Sequence, residues 1–124
     1  MKKILLYCSL FIALVSFVHA GIPDIVKALK AGNASEIARY FDNNVEITLP
    51  DKSISANKQQ AEAILQNFFK ENPVKDFKVL HQGKNQSSEY CIGTLVTGNG
   101  VFRTTIYTKE KNGIALIQEL RFEK

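Results

Sequence analysis

The sequence is poor in the residues that build disulfide frameworks and metal sites. Its 124 residues include two cysteines, two histidines and no tryptophan. Cys8 and His19 lie within the first twenty residues, so a chain that loses this segment keeps only Cys91 and His81. A single cysteine excludes an intrachain disulfide, and a single histidine cannot form a zinc site alone. We therefore expect no metal and no cofactor.

The chain also lacks a concentrated charge of either sign. The net charge is +4, and it falls to +2 without the two lysines near the N-terminus, because the first twenty residues contain no acid. The basic residues are scattered, which argues against a nucleic-acid partner. A phosphate-binding loop is missing as well, because Gly98-Asn99-Gly100 leads into a strand pattern and not into a helix.

One long apolar run stands at the N-terminus. Two lysines precede an uncharged stretch that ends Val18-His19-Ala20, with small apolar residues at the two positions a signal peptidase inspects. This pattern predicts a cleavable export signal over residues 1–20. The alternative, a retained membrane helix, needs roughly 20 strongly apolar residues, which this run does not supply. We expect a mature single domain over residues 21–124 that is periplasmic or secreted, with no stable membrane span.

The mature chain divides into a helical half and a strand half. Helices are predicted to begin at Pro23, Asn33 and Asn57, and to end at Gly32, Asp42 and Asn72. Residues 45–49 and 53–55 form two short strands before the third helix, and four longer strands follow over residues 77–82, 89–97, 101–109 and 114–123. This order predicts an α+β domain in which three N-terminal helices pack on a curved antiparallel meander of four main strands plus one or two short strands.

Two Asn-Gly pairs, Asn99-Gly100 and Asn112-Gly113, predict tight hairpins and therefore a register. In that register the helix-covered face carries Phe77, Val79, Ile92, Val96, Leu116, Leu120 and Phe122, with His81, Tyr90, Arg103, Tyr107 and Gln118 embedded among them. Unpaired buried polar groups cost about 1–3 kcal/mol each, so these should bond one another or line a cavity. A one-residue bulge in either hairpin would exchange the two faces.

The candidate pocket for a small molecule of unspecified identity follows from this face. It comprises Tyr40, Phe68, His81, Tyr90, Arg103, Tyr107 and Gln118. Arg103 has the geometry to clamp a carboxylate or phosphate, but it could equally extend to solvent or pair with a helix carboxylate. Tyr107 and Gln118 could instead form a cross-strand pair that closes the domain, and aromatic residues at helical spacing are commonly core.

The opposite sheet face is half apolar in the same register. Its apolar members are Leu95, Phe102, Ile106 and Ile117. An exposed apolar patch of this kind is typical of an interface, so these residues are the predicted surface of a homodimer. Cys91 falls on this face as well, opposite to His81, which disfavours a nucleophile–base pair.

The order of helices and strands resembles the nuclear transport factor 2-like superfamily, a cone-shaped roll with a pocket. Four segments are also similar to a family of small exported proteins of unknown function from Bacteroides-type bacteria: residues 25–34, 40–47, 90–95 and 118–122. That resemblance implies a Gram-negative source and a periplasmic location, but no activity. Isomerases and dehydratases of the superfamily use an acidic base or a His–Asp pair beside a tyrosine, and here no carboxylate accompanies His81 on the predicted inner face.

We therefore assign no catalytic residue from the sequence. The expected function is a non-catalytic small-ligand-binding or interaction module, because polar groups converge in an apolar face without a paired carboxylate. Two alternatives stay open. One is an isomerase- or dehydratase-type enzyme that uses a pocket histidine or tyrosine, and the other is a structural, dimeric accessory protein.

Overall fold

A computed structural model describes residues 21–124, so the predicted export signal lies outside the described residues. The elements in chain order are helices α1 (Ile22–Ala31) and α2 (Ala34–Ala38), strands β1 (Phe41–Leu49) and β2 (Lys52–Asn57), helix α3 (Lys58–Glu71), and strands β3 (Val74–Asn85), β4 (Ser88–Thr97), β5 (Gly100–Lys111) and β6 (Ile114–Glu123). The α+β class is confirmed.

The helix boundaries follow the capping residues of the sequence. Gly32 ends α1 in the left-handed conformation, with φ of 62°, as expected of a glycine cap. Asn33 accepts a hydrogen bond from the backbone N–H of Glu36, and Asn57 forms a reciprocal capping box with Gln60. The second helix is shorter than predicted, because Phe41 already belongs to β1 and lies opposite Ile117 of β6.

The six strands form one sheet in the order β2-β1-β6-β5-β4-β3. β1 runs parallel to β6, and all other neighbours are antiparallel. The two N-terminal strands are thus full members of the sheet, which the prediction of four main strands plus short additions understated. Backbone pairing of β1 with β6 joins the two halves of the chain.

One hairpin turn was predicted correctly and one is displaced. Lys111 pairs with Ile114 across Asn112-Gly113, where both turn residues have positive φ, of 54° and 79°. The other two-residue turn is Gly98-Asn99, one position earlier than predicted. The hydroxyl of Thr97 accounts for this shift, because it donates to the carbonyl of Gly100 and accepts from the N–H of Asn99.

Two β-bulges determine which side chains meet the helices. On β6 an extra residue, Gln118, separates the pairs that β5 makes through Thr108 and Tyr107. On β3 a second register shift falls between Val79 and His81. Because side chains alternate along a strand, each extra residue moves all later side chains to the other face.

The face prediction is therefore wrong for most of β4 and β5. The face that the helices cover, called the covered face below, carries Phe77, Cys91, Leu95, Phe102, Thr104, Ile106, Ile117, Leu120 and Phe122, all at most 2% exposed. The other side, called the open face, carries His81, Tyr90, Ile92, Thr94, Arg103, Thr105, Tyr107, Glu119, Arg121 and Glu123. Only Phe77, Leu120 and Phe122 of the predicted apolar set meet the helices and are buried.

Aromatic side chains fill the space between α3 and the sheet. Phe68 stacks on Phe122 with 4.6 Å between ring centroids, and it meets Phe102 edge-on at 5.2 Å. Within residues 21–124 no buried side-chain nitrogen or oxygen lacks a hydrogen-bond partner. The four residues predicted to form a homodimer surface, Leu95, Phe102, Ile106 and Ile117, belong to this core and are 0–2% exposed. They are not an interface.

Candidate functional site

The structure brings four of the seven candidate pocket residues together, but on the open face and not beneath the helices. His81, Tyr90, Arg103 and Tyr107 lie on three neighbouring strands, β3, β4 and β5. The other three, Tyr40, Phe68 and Gln118, lie elsewhere. The predicted pocket therefore separates into an exposed cluster and three residues with other contacts.

Tyr90 leans across β3 toward His81. Its hydroxyl lies 2.9 Å from Nε2 of His81. Its ring occupies the space where a side chain at position 83 would stand, since a Cβ built on Gly83 would lie 2.1 Å from the ring. Gly83 is thus the residue that lets Tyr90 lean across β3, and the pair with His81 holds it there.

The centre of the open face is formed by β4 and β5. Tyr90 lies opposite Tyr107, Ile92 opposite Thr105, and Thr94 opposite Arg103. Tyr90 is 36% exposed, and Val101, at one end of the same face, is 54% exposed. Aromatic and arginine side chains on a surface without helix cover are typical of a protein interface.

Charged residues of both signs lie beside this centre. Arg121 contacts Glu119 at 3.4 Å and Glu123 at 2.9 Å. Glu46 of β1 lies next to Glu119 and accepts hydrogen bonds from the hydroxyls of Ser53 and Ser55, which lower the pKa of the Glu46 carboxyl. By contrast, Arg103 forms no ion pair with any residue in 21–124.

Gln118 belongs to a polar cluster that the sequence did not reveal. Its side-chain amide donates to Asp42 at 2.8 Å, and the ammonium of Lys111 lies 2.5 Å from the same oxygen. Asp42 is 8% exposed. The hydrogen bond from Lys111, followed by that from Gln118, lowers the pKa of Asp42 to about 2. From the sequence, Asp42 is predicted only to end the second helix. No pattern indicates that it binds Lys111 and Gln118.

Tyr40 and Phe68 serve the packing of the helices. The carbonyl of Tyr40 accepts the N–H of Ile117, and partial burial raises the pKa of its phenol. Phe68, 5% exposed, is part of the aromatic stack under α3. It also forms the floor of a cleft of about 400 Å³, with Phe102 beside it and Lys52 and Lys124 at the rim. Phe68 is the one candidate pocket residue that lines this cleft.

The described residues offer little support for metal or nucleophilic chemistry. In residues 21–124 no three His, Cys, Asp or Glu side chains come close enough to hold a metal ion. Burial raises the pKa of the Cys91 thiol, which lies on the covered face, whereas His81 is on the open face. The prediction that these two residues lie on opposite faces is confirmed, although the faces are exchanged.

Comparison with known proteins identifies the family. The model of DUF4783, a domain of unknown function, matches residues 22–123. The chain belongs to the DUF4783 family. A family member from Bacteroides ovatus shares 34% identity and a TM-score of 0.81 over 86% of this chain and 97% of that one. Another, from Bacteroides fragilis, shares 38% identity and a TM-score of 0.79 over 84% and 99%. The predicted resemblance to a Bacteroides-type family is confirmed.

More distant structures support the wider fold resemblance. An NTF2-like protein of unknown function from Cytophaga hutchinsonii has 11% identity and a TM-score of 0.57, over 80% of this chain and 81% of that one. At this identity the likeness concerns the fold alone. No curated protein matches the chain. Across residues 21–124, every helix falls short of the length and apolarity that crossing a membrane requires.

Proposed function

We propose that this DUF4783 protein is an exported, non-catalytic binding module that contacts its partner through the open face of its sheet. The observation that carries the proposal is the contrast between the two faces. The covered face is packed with aromatic and aliphatic side chains, whereas the open face leaves Tyr90, Arg103 and Val101 exposed to solvent. Aromatic and arginine side chains are enriched at protein interfaces.

The interior is a poor alternative as a ligand site. Phe68 and Phe122 stack directly on each other, and the clefts lie at the ends of the sheet and on the helix surface. Ligand pockets are usually concave and largely enclosed, with a few convergent polar groups. The open face carries Tyr90, Tyr107 and Arg103, so it offers aromatic and charged groups, but on a sheet surface. Such a surface suits a partner with a broad face better than a small molecule.

An isomerase- or dehydratase-type site receives less support. It needs a carboxylate beside His81 in a water-poor cavity. His81 is exposed, and its ring nitrogen pairs with the hydroxyl of Tyr90. Water around an exposed side chain weakens its interaction with neighbouring charges. An exposed histidine therefore does not provide the environment that such a site requires.

Cleavage after Ala20 is compatible with the family match, which begins at residue 22, and with the first turn of α1. The carbonyl of Gly21 accepts hydrogen bonds from the N–H groups of Asp24 and Ile25, and Ile22 is 2% exposed. Cleavage after Ala20 would leave this first helical turn complete. Expression in a Gram-negative host followed by N-terminal sequencing of the periplasmic fraction tests the point. Gly21 is the expected first residue, and an intact Met1 would contradict cleavage.

Thiol labelling in intact cells tests the contact surface. Thr94→Cys places a thiol on the open face, and Ser35→Cys places a matched one on the exposed side of α2. Cys91 is 0% exposed and should contribute little background. We expect the Thr94→Cys thiol to react with maleimide more slowly in the periplasm of the source organism than in dilute purified protein. The Ser35→Cys thiol should react equally in both. Equal rates at Thr94→Cys would contradict the proposal.

A further inference from the structure

The two edges of the sheet differ in length. β2 forms one edge with six residues, and β3 forms the other with twelve. Because β3 has a neighbouring strand on one side only, the backbone N–H and C=O groups on its other side have no strand to pair with. Short edge strands are one means by which proteins avoid pairing with a further chain. β3 lacks this protection.

The middle of β3 is exposed on both of its faces. Phe77 is 1% exposed, but the five residues that follow it, from Lys78 to Gln82, are all exposed. Two of them are large and apolar, since Val79 is 40% exposed and Leu80 is 67% exposed. Leu80 is also the extra residue of the bulge on β3. Bulges and charged side chains commonly keep other strands away from an edge, but here the bulge carries a leucine.

The charge along β3 is positive. The strand contains three lysines and one aspartate, which gives a net charge of +2. Lys75 and Lys78 are exposed and form no ion pair with the described residues, whereas Lys84 lies opposite Glu89 of β4. The carboxylate of Asp76 accepts a backbone N–H at 2.8 Å. This edge therefore attracts a strand of negative charge and repels one of positive charge.

We propose that β3 is the docking edge for an extended segment of a partner protein in which acidic and apolar residues alternate. The segment adds a further strand to the sheet, and its backbone pairs with the outward N–H and C=O groups of β3. Lys78 lies opposite Thr94 and projects from the open face, whereas Val79 is on the side of Phe77. An added strand has the same alternation, so its acidic side chains lie beside Lys78 and its apolar ones beside Val79.

Other occupants fit this edge less well. Pairing β3 with β3 of a second copy would place like charges along one shared edge, which destabilises strand pairs. An anionic lipid surface attracts lysines, but it offers no backbone groups to the edge of a sheet. An acidic, partly apolar polypeptide matches the charge, the exposed apolar side chains and the backbone of β3 together.

Calorimetric titration of the mature domain, residues 21–124, measures the docking. The probe is a blocked peptide of alternating glutamate and valine, about eight residues long. Lys78→Glu should raise its dissociation constant about tenfold, because an attraction becomes a repulsion. Lys52→Glu makes the same charge change at the β2 edge and should leave the constant unchanged. Absence of saturable binding up to about 1 mM peptide, or equal weakening by both variants, overturns the proposal.

Leu80→Ser tests the apolar part of the contact. It should raise the dissociation constant about fivefold, because less apolar surface is buried beside the peptide. Ile114→Ser is the matched control, since it replaces an apolar side chain that is 46% exposed in the β5–β6 hairpin, and it should have no effect. Circular dichroism should show that all variants are folded. Equal effects of the two serine variants would contradict a contact at Leu80.

Hydrogen exchange tests whether a strand is added. With the peptide bound, outward N–H groups of β3 should exchange more slowly, and those of β2 should be unchanged. Protection confined to other elements overturns the proposal. Equal affinity for a lysine–valine peptide also overturns it, as does binding to phosphatidylglycerol vesicles without binding to the acidic peptide. The Thr94→Cys experiment concerns the open face, so the two proposals can fail separately.

Discussion

The two faces of this sheet are built from alternating residues of the same strands, yet they have opposite properties. On β5, Phe102, Thr104 and Ile106 are at most 2% exposed, while their neighbours Arg103 and Val101 are exposed. The covered face holds the fold together through close packing. The open face contributes little to that packing and is free to bind. Substitutions on the covered face should therefore change stability, and substitutions on the open face should change binding.

The largest difference in the free energy of unfolding is expected between Phe122→Ala and Tyr107→Ala. Phe122 is 0% exposed and stacks on Phe68, so its truncation should lower the free energy of unfolding by about 3–5 kcal/mol. Tyr107→Ala should change it by less than about 1 kcal/mol, because the open face has no helix cover. Urea denaturation of the monomer measures both. Similar losses for the two variants would break the comparison.

Gly93 and Gly83 provide a matched pair of substitutions for the same comparison between the covered and open faces. A Cβ at Gly93 would lie 2.4 Å from the buried ring of Phe77 and 2.6 Å from the carbonyl oxygen of Lys78. Gly93→Ala should therefore cost about 1–3 kcal/mol of stability, since neither neighbour can move easily. Gly83→Ala meets only the ring of Tyr90, which can swing into solvent. We expect a smaller loss of stability, measured by thermal unfolding, and equal losses would contradict this account.

Asp42 should make stability depend on pH at acidic values. Its folded-state pKa of about 2 is below the ordinary value near 3.9. The cluster therefore stabilises the fold above about pH 4, and this contribution is lost as the pH falls from about 4 to about 2. Asp42→Asn should lower stability by about 1–2 kcal/mol at neutral pH and match the wild type near pH 2.

Asp51→Asn is the control for that experiment. Asp51 is exposed and forms no ion pair with the described residues, so its replacement removes the same charge without the cluster. Guanidinium unfolding at several pH values gives the comparison. A constant difference between Asp42→Asn and wild type across this range would show that the carboxylate is not the titrating group.

The smallest effect is expected for Tyr90→Phe. This change removes the hydrogen bond to His81 but keeps the ring over Gly83. An exposed hydrogen bond contributes at most about 1 kcal/mol, so the thermal midpoint should shift only slightly. A large shift would mean that the open face supports the fold more than its exposure suggests.

The sequence predicted the local elements well and the faces poorly. Caps at Asn33 and Asn57 and the turn at Asn112-Gly113 act over a few residues, so their side chains are sufficient to identify them. The faces depend on the bulge at Gln118, which is stabilised by Asp42 far away in the chain. No pattern within β6 indicates that long-range contact. Four of the seven candidate pocket residues thus share one face, but it is the open face of the sheet and not the covered one.

The pairing of β1 with β6 could not be predicted from the sequence either. Local alternation predicts a strand at residues 45–49, but it does not specify which edge of the sheet the strand joins. The position beside β6 places Asp42 next to Gln118 and Glu46 next to Glu119. Charge on the open face is therefore set by topology as much as by composition.

Maleimide labelling of Thr94→Cys, in intact cells and in dilute purified protein, tests the central claim most directly. We predict slower labelling of Thr94→Cys in cells than in purified protein, and equal labelling of Ser35→Cys in both. Equal rates for Thr94→Cys in cells and in purified protein would contradict an open face that binds a partner.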